Sequence, residues 1–468
     1  MRRIGARSGL GVLLPVCVPL LFFDLGTRVL ASNDEARFPV LARDILARGD
    51  WLLPRLNGTP HLNKPPLSAW LIALASWPGG QVTQTTAALP SLLAALGVVA
   101  VTYWIAWRLF SAETALVAGL VVVTTYGVFD LARAAMPDMV LCLALTAAMA
   151  AFLAAESGGH RGALIAAYAL VGVASLTKGP VALLGVVIVT TYELVAHGPP
   201  GLRRVASPIG LLLLGLLVVP WWLHGAGAGR AAEMREVAVT DWFGWYLPQG
   251  GWRWQAVTDP IVQTATVLLP WAPLVPAGLW SAVRTEDLER ARGARFPVIW
   301  AGVIFVFIAL SHQQRMRYYL PLCPPVALVI AAWYSRLALR HKKGIGATVW
   351  LLAALGLSLW QAYAGPRYNA ATDLRAIVGL TQTRTKPLYA VEVPELVFTF
   401  YLEQPVTGLP DSRQFEALVD GGRDGYLVIA DRVLPASEAP RLQRLGRGLV
   451  NGRAFSILGP ALSGHGLP

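Results

Sequence analysis

Runs of about twenty apolar residues recur through the first three quarters of this chain. An α-helix rises about 1.5 Å per residue, so about 20 apolar residues cross the hydrocarbon core of a bilayer. Only 14% of the residues are charged, against roughly 25% in soluble proteins. The sequence therefore predicts a polytopic α-helical membrane protein with about eleven spans. We place these spans at residues 10–31, 84–109, 112–129, 138–155, 162–177, 179–197, 205–224, 258–283, 296–312, 319–338 and 345–364.

The basic residues indicate how these spans are oriented. Much of the net charge of +12 lies in short connectors such as those with Arg108, Arg161 and Arg203-Arg204. Such connectors favour the cytoplasmic side, so the charge is not a signal for nucleic acid. With a cytoplasmic N-terminus, every loop of unusual polar composition faces outward. We expect a multi-pass membrane protein whose functional site faces outward.

After Gly365 the apolar runs give way to a different pattern. Short strand-like segments alternate with helix-like ones, which is typical of an α/β domain. We therefore expect a transmembrane domain over 1–365 and a small external α/β domain over 366–468. The strands are predicted at 386–392, 425–431 and 455–460, and the helices at 394–402 and 412–420.

The loop at 33–83 follows the first predicted span and has the wrong composition for a simple connector. It opens with the paired carboxylates Asp34-Glu35 and with Arg37, and it continues through Arg55 to Lys64-Pro65-Pro66. An amphipathic helix between them is expected to lie flat on the bilayer surface, and the segment 68–78 is too short to cross. Carboxylates and cations at a membrane interface point to chemistry on a lipid head group.

Three residues of this loop have both a functional and an ordinary interpretation. Asp34 and Glu35 are catalytic candidates: Asp34 could be a general base that removes a proton from an acceptor hydroxyl or amine, or the acidic pair could simply favour the start of a helix. Lys64 is presented with little freedom because prolines follow it. Its ammonium suits a lipid phosphate, or it could snorkel to the interface. Arg37 and Arg55 could share the phosphate-binding work.

Outside this loop, polar residues beside the spans form a second set of candidates. Asp138 begins a predicted span, either as a functional acid or as a helix cap. Lys178 could contact phosphate or anchor a tight turn. The run 312–319 is rich in hydrogen-bond donors, and arginine forks suit phosphate oxygens. Its candidates for phosphate binding are Arg315, Arg317 and Tyr318.

The remaining motifs give weaker signals. The loop 225–257 is rich in tryptophan, and its indoles could stack on a sugar face or mark the membrane interface; they are Trp242, Trp245, Trp252 and Trp254. We expect no metal site, because His61 is the only histidine near the acidic pair. The three cysteines lie within apolar spans, so a disulfide framework is not indicated either.

Three ordered motifs resemble a known family. The sequence DEAR at 34–37, ILARGDWLLPRLNG at 45–58 and KPPL at 64–67 are similar to motifs of GT-C superfamily glycosyltransferases. Within that superfamily, the resemblance is to bacterial relatives of the protein O-mannosyltransferases, above all to the aminoarabinose transferases that modify lipid A. It is dense over 33–70 and looser through Asp138, TKG at 177–179 and YYLP at 318–321.

The resemblance implies a function. Such enzymes move a sugar, with inversion, from a polyprenyl phosphate carrier to an acceptor such as lipid A, a glycan or a protein. The resemblance implies that 1–365 is the catalytic domain of a bacterial inner-membrane protein, with its active site on the periplasmic face and 366–468 as a periplasmic domain. Asp34 matches the proposed catalytic aspartate, Asp138 a second functional acid, Lys64 the lysine on the carrier phosphate and Tyr318 a carrier-site tyrosine. The lipid-linked sugar is then a donor substrate, and no cofactor is implied.

The chain departs from the aminoarabinose transferases at two places. Asn63 stands where a glutamate usually precedes KPP, and the loop 225–257 lacks a Glu-His-x-x-Arg-Phe run, whose arginine Arg235 or Arg253 could replace. The rival interpretation is a lipid or solute transporter, which would place acids within repeated halves. Asp24 and Glu193 lie within predicted spans, but no repeated halves are visible.

Overall fold

The computed structural model describes residues 6–23, 25–158, 161–246, 254–284, 288–337, 342–381, 386–421, 425–434 and 442–460, so Asp24 lies outside the described residues. The α-helices are α1 (Ala6–Phe22), α2 (Asn33–Arg48), α3 (Leu67–Ser76), α4 (Gln84–Leu109), α5 (Ala112–Val123), α6 (Tyr126–Leu131), α7 (Asp138–Gly158), α8 (Arg161–Lys178), α9 (Leu184–His197), α10 (Leu202–Val205), α11 (Pro208–Gly225), α12 (Ala231–Val237), α13 (Gln255–Val267), α14 (Val275–Val283), α15 (Leu288–Ala309), α16 (Cys323–Arg336), α17 (Lys342–Ala370), α18 (Arg375–Thr381), α19 (Glu395–Leu402) and α20 (Ser412–Asp420). The strands are β1 (Arg55–Leu56), β2 (Thr59–Pro60), β3 (Leu388–Val391), β4 (Val406–Gly408), β5 (Tyr426–Ala430), β6 (Leu442–Val450) and β7 (Arg453–Pro460).

The chain divides into two compact units. We call residues 1–25, 62–71 and 88–359 the helical unit, and residues 26–61, 72–87 and 360–468 the α/β unit. The loop at 33–83 is therefore shared: most of it belongs with the C-terminal residues, whereas the KPP motif belongs with the helical unit. The sequence led us to expect a single boundary at residue 365.

Several helices are long enough and apolar enough to cross a membrane. Among the described residues, six stretches qualify, and the bent pair α13 and α14 would make a seventh. The protein is thus an integral membrane protein, and the predicted helical fold is confirmed, while the count of eleven spans stays a prediction. The six stretches are 84–109, 138–158, 161–197, 208–225, 316–336 and 344–370.

One of these stretches, 161–197, is interrupted at Lys178 and Gly179. Lys178 ends α8 with φ −137°, and Gly179 follows with φ +72°. A positive φ is strained for residues with a Cβ and costs glycine little. The glycine therefore ends α8 after Lys178 and starts a 3-10 turn that leads into α9.

Two predicted spans are broken in ways that we did not expect. The span predicted at 112–129 divides into α5 and α6 at Thr124 and Thr125, whose hydroxyls donate back to the carbonyls of Leu120 and Val121 and so compete with the helical ladder. In place of a straight span at 258–283, α13 and α14 meet at 110°. Pro270 lies between these two helices and, lacking an N–H, cannot continue a helix.

The core of the helical unit is built by close helix packing. Its largest fully buried side chains include Trp300, Tyr103 and Tyr319. Small residues let the helices approach each other: a Cβ added at Gly172 of α8 would lie 2.7 Å from Leu217 Cδ1 of α11. Such contacts between small and large residues are the usual means of association for membrane helices.

The α/β unit contains a five-stranded mixed sheet in the order β4-β3-β5-β7-β6. Strands β4, β3 and β5 are parallel, whereas β7 is antiparallel to both β5 and β6. Every residue of β5 is buried, which is typical of a central strand. The strands and helices predicted after residue 365 are confirmed as β3, β5, β7, α19 and α20. Strands β4 and β6 were missed, since β4 is very short and β6 carries glycines and exposed arginines.

Helix α2 belongs to this unit and corrects one expectation. Its apolar residues, among them Phe38, Leu41 and Ile45, are buried, and α2 packs against α19. The Arg43 guanidinium also donates to the carbonyls of Thr399 and Phe400. The apolar face that we expected on the bilayer surface is therefore covered by protein.

Candidate functional site

The acidic pair lies at the start of α2. Ser32 is the N-cap, and its hydroxyl accepts from the backbone N–H of Glu35, so neither acid is the cap. Asp34 stays partly exposed, with 29% of its side chain accessible, and its Oδ1 lies 3.5 Å from Arg37 Nη1. Asp34 therefore keeps the solvent access that a proton acceptor needs.

Glu35, in contrast, points into the α/β unit. Its side chain is 3% exposed and its Oε1 lies 2.9 Å from Arg28 Nη2. Its Oε2 accepts from the Tyr368 hydroxyl at 2.9 Å and from the Ala31 N–H. These contacts join the start of α2 to the end of α17 within one unit, so the geometry favours a structural role for Glu35.

The two acids should therefore respond differently to removal. We expect Glu35→Ala to lower the free energy of unfolding by about 2 kcal/mol, because it leaves the Arg28 guanidinium with fewer partners in a largely buried place. Asp34→Ala should cost much less, since its contact with Arg37 is a surface ion pair. Thermal unfolding in detergent measures both. Equal destabilisation by the two changes would contradict this division of roles.

Arg55 also lies in the α/β unit. It begins the hairpin β1–β2, and its backbone N–H donates to Asp44 Oδ2 at 2.7 Å. Its Nε is buried and has no hydrogen-bond partner within the part of the chain that the structure describes. Asp44 therefore holds this turn of the hairpin against α2.

The other candidates gather in the helical unit. Asp138 is the first residue of α7 and Lys178 the last of α8, and Lys178 Nζ donates to Asp138 Oδ1 at 2.6 Å. The two side chains are only 3% and 14% exposed. This is a buried ion pair, whose partners depend on each other because an unpaired charge there is costly.

Tyr318 lies beside this pair, in the 3-10 helix Met316–Leu322. Lys178 Nζ is 4.6 Å from the centroid of its ring, and Arg317 Cζ is 5.4 Å from it. Both distances are within the range of a cation–π interaction. The Tyr318 ring therefore contacts both Lys178, which is paired with Asp138, and Arg317 of the run 312–319.

Trp245 extends the same group towards the KPP motif. Its ring stacks on Tyr318, with centroids 5.4 Å apart and an interplanar angle of 26°. Lys64 Nζ lies 5.9 Å from the centroid of the Trp245 ring. We call Lys64, Asp138, Lys178, Trp245, Arg317 and Tyr318 together the cationic cluster.

The charges of the cationic cluster decide what it can bind. Three cationic side chains, Lys64, Lys178 and Arg317, are accompanied by one carboxylate. An anion with several oxygens, such as a phosphate, would offset this excess, since ammonium and guanidinium groups are its usual partners. The cationic cluster therefore has the charge that a phosphate group would need.

Of the predicted site residues, the structure thus brings together Lys64, Asp138, Lys178, Arg317 and Tyr318. Asp34, Glu35, Arg37 and Arg55 belong to the other unit. Arg315 is exposed and precedes the 3-10 helix as its N-terminal cap residue. Sequence reasoning named Trp245 only as one of four tryptophans that could stack on a sugar face or mark the membrane interface, because an indole in a tryptophan-rich loop carries no local signal for its partner.

The remaining candidates are the other tryptophans and arginines of the loop 225–257 and a possible metal site. Trp254 is 71% exposed. Trp252, Arg253 and the side chain of Trp242 lie outside the described residues, and Arg235 of α12 is exposed. Over the described ranges, no three His, Cys, Asp or Glu side chains are grouped so as to hold a metal ion.

Similarity to known sequences covers much of the chain. Residues 63–224 match the model of the dolichyl-phosphate-mannose-protein mannosyltransferase family. The chain is 27% identical over 404 residues to the undecaprenyl phosphate-alpha-4-amino-4-deoxy-L-arabinose arabinosyl transferase of Edwardsiella ictaluri, covering 81% of this chain and 70% of that protein. It is 28% identical over 341 residues to the Yersinia pestis protein of the same name, covering 70% and 59%. The chain therefore spans less than two thirds of the latter relative's length.

Similarity to solved structures concerns the fold. ArnT from Cupriavidus metallidurans bound to undecaprenyl phosphate aligns with a TM-score of 0.80 and 22% identity, over 98% of this chain and 99% of that one. The archaeal oligosaccharyltransferase AglB from Archaeoglobus fulgidus aligns with a TM-score of 0.61 and 12% identity, over 91% and 69%. Both units of this chain therefore have counterparts in a known fold.

Proposed function

We propose that this protein is an inverting glycosyltransferase that takes its sugar from a polyprenyl phosphate carrier, such as undecaprenyl phosphate. The predicted resemblance to GT-C glycosyltransferases is confirmed by the family model, the relatives and the fold. The single observation that carries the proposal is the cationic cluster. It brings one cation each from the KPP motif, the TKG motif and the run 312–319 to the stacked pair Trp245 and Tyr318.

The proposed reaction is a single displacement. An oxygen or nitrogen of the acceptor attacks the anomeric carbon of the donor sugar while its proton passes to a general base. The bond from that carbon to the phosphate oxygen breaks, and the carrier phosphate leaves with the electron pair. One displacement inverts the anomeric carbon, so no covalent enzyme intermediate forms.

The cationic cluster would stabilise the leaving group. Negative charge grows on the carrier phosphate as its bond to the sugar breaks, and fixed cations lower the energy of that charge. We propose that Lys64, Lys178 and Arg317 supply these cations and that the Tyr318 hydroxyl donates a hydrogen bond. Asp138 then acts through Lys178, whose ammonium it holds in place.

We propose Asp34 as the general base. It is the partly exposed member of the acidic pair, it heads the DEAR motif, and a positioned carboxylate is a common base for hydroxyl or amine acceptors. Arg37, 3.5 Å away, would orient the carboxylate. Arg55 and Arg315 remain proposed contacts for phosphate groups of the donor or acceptor.

The proposed donor and acceptor follow from the relatives. We propose an undecaprenyl phosphate-linked pentose or hexose as donor, with aminoarabinose as the first candidate, and lipid A, a glycan or a protein as acceptor. The reaction would occur at the periplasmic face of the inner membrane. Because Asn63 stands in place of the glutamate of the aminoarabinose transferases, donors with other sugars are included in the test.

The test is a release assay on the full chain in lipid nanodiscs. Undecaprenyl phosphate-linked sugars are supplied one at a time with a bacterial lipid extract that contains lipid A, and released undecaprenyl phosphate is measured. We expect release that depends on the extract for at least one sugar, and its loss in Lys64→Ala. If the folded protein releases none from any donor but moves lipid-linked sugars between leaflets, the transporter interpretation replaces this one.

A further inference from the structure

We propose that Trp245 is a positioning residue of the cationic cluster, whose indole holds the Lys64 ammonium and the Tyr318 ring in the arrangement that receives a lipid-linked phosphate. This inference rests on the proposed function, because it assigns a task within the same site. Lys64, Trp245 and Tyr318 lie far apart in the sequence, and the Trp245 ring contacts both of the other side chains.

The backbone of Trp245 is fixed first. Trp245 lies in the short 3-10 segment Gly244–Tyr246, and its carbonyl accepts from the His312 N–H at 2.8 Å. The neighbouring Tyr246 ring packs on Phe307 of α15, with centroids 4.9 Å apart. These two contacts attach the segment to the end of α15, where the donor-rich run begins.

The Trp245 ring then meets Tyr318. The two rings are nearly parallel at a centroid distance of 5.4 Å, within the range of about 4.5–7 Å in which aromatic pairs attract. The same Tyr318 ring faces Lys178. Stacking by Trp245 therefore limits the rotation of a ring whose hydroxyl we place at the phosphate.

Lys64 is the second contact. Its backbone is restrained by Pro65 and Pro66, both buried, but a four-carbon side chain retains several rotamers. The ammonium lies 5.9 Å from the Trp245 centroid, near the outer limit of about 6 Å for a cation–π interaction. An aromatic face there favours the rotamers that bring Lys64 towards Tyr318, so less side-chain entropy is lost when phosphate binds.

This role differs from that of a tryptophan which only marks the membrane interface. An interfacial anchor would affect folding or insertion, with no dependence on Lys64. A positioning residue acts in part through Lys64, so removing the indole should matter less once the lysine is gone. Coupling between the two side chains therefore separates the two interpretations.

The experiment measures the dissociation constant of undecaprenyl phosphate for the full chain in detergent. Trp245→Leu keeps apolar bulk but lacks an aromatic face, and we expect about fivefold weaker binding. Trp245→Phe should restore most of the affinity. In a Lys64→Ala background, Trp245→Leu should weaken binding by clearly less than fivefold, because only its contact with the Tyr318 ring is then lost. If the leucine variant does not fold, Trp245→Met, which also lacks a ring, takes its place.

The matched control is Trp280→Leu. Trp280 lies in the same unit, 61% exposed, with Arg284 Cζ 3.9 Å from its ring centroid, and it contributes no contact to the cationic cluster that we describe. It should bind the carrier as the wild type does. Wild-type affinity in Trp245→Leu, or additive losses with Lys64→Ala, would overturn the inference alone. A wild-type protein that binds no undecaprenyl phosphate would overturn the proposed function itself.

Discussion

Replacing Asp34 by asparagine should lower the rate of sugar transfer by about 10²- to 10⁴-fold while leaving carrier binding unchanged. An amide has nearly the shape of the carboxylate but cannot accept the acceptor's proton at neutral pH, and loss of a general base has effects of about this size. The change keeps the polar start of α2 and its Ser32 cap. The rate loss is measured as turnover at saturating donor, beside the dissociation constant for undecaprenyl phosphate.

A matched control for Asp34→Asn is Asp411→Asn. Asp411 is the N-cap of α20 in the same unit, and its Oδ1 accepts from the Gln414 N–H. Asparagine caps a helix as well as aspartate does, so one carboxylate is removed without loss of the cap. This variant should turn over like the wild type. Full turnover in Asp34→Asn would instead show that the base lies elsewhere.

Replacing Asp138 by alanine should destabilise the protein by about 3 kcal/mol, because it leaves the Lys178 ammonium unpaired in a largely buried place. Its Oδ1 lies 2.6 Å from Lys178 Nζ. The double variant Asp138→Ala/Lys178→Met removes both charges and should recover most of that loss. Thermal unfolding of the three variants in detergent measures the effect. The double variant should still bind carrier poorly, since it lacks one cation of the cluster.

The control for Asp138 is an exposed ion pair. Asp373 Oδ2 lies 2.6 Å from Arg375 Nη2. Hydrogen bonds from the Arg375 side chain lower the pKa of Asp373 to about 2. Both groups are well solvated, so Asp373→Ala should change stability little. If Asp138→Ala were as mild as this control, Asp138 could not be the residue that holds Lys178.

The sequence was most informative where motifs constrain the backbone. The prolines after Lys64 restrict its backbone, and the glycine after Lys178 favours a break between two helices. Both residue types act locally, so the sequence shows these features directly. The apolar runs and the alternating C-terminal segments likewise predicted most helices and three of the five sheet strands. In each case the signal lies within a few residues of the structure it determines.

The remainder depends on contacts between distant parts of the chain. Periodicity shows that α2 has an apolar face, but not whether lipid or α19 covers it. Asp34 and Glu35 look alike in sequence, and their contacts make them differ: Arg37 for Asp34, and Arg28, Tyr368 and the Ala31 N–H for Glu35. The stacking of Trp245 on Tyr318 joins two loops that the sequence gives no reason to pair.

The central claim is that the cationic cluster binds the phosphate of a polyprenyl carrier. The most direct measurement compares the binding of undecaprenyl phosphate and of undecaprenol, which lacks the phosphate, to wild type and Lys64→Ala by native mass spectrometry. The account predicts that the wild type retains the phosphate and not the alcohol, and that Lys64→Ala loses this preference. Equal retention of both lipids, or an unchanged preference in Lys64→Ala, would contradict it.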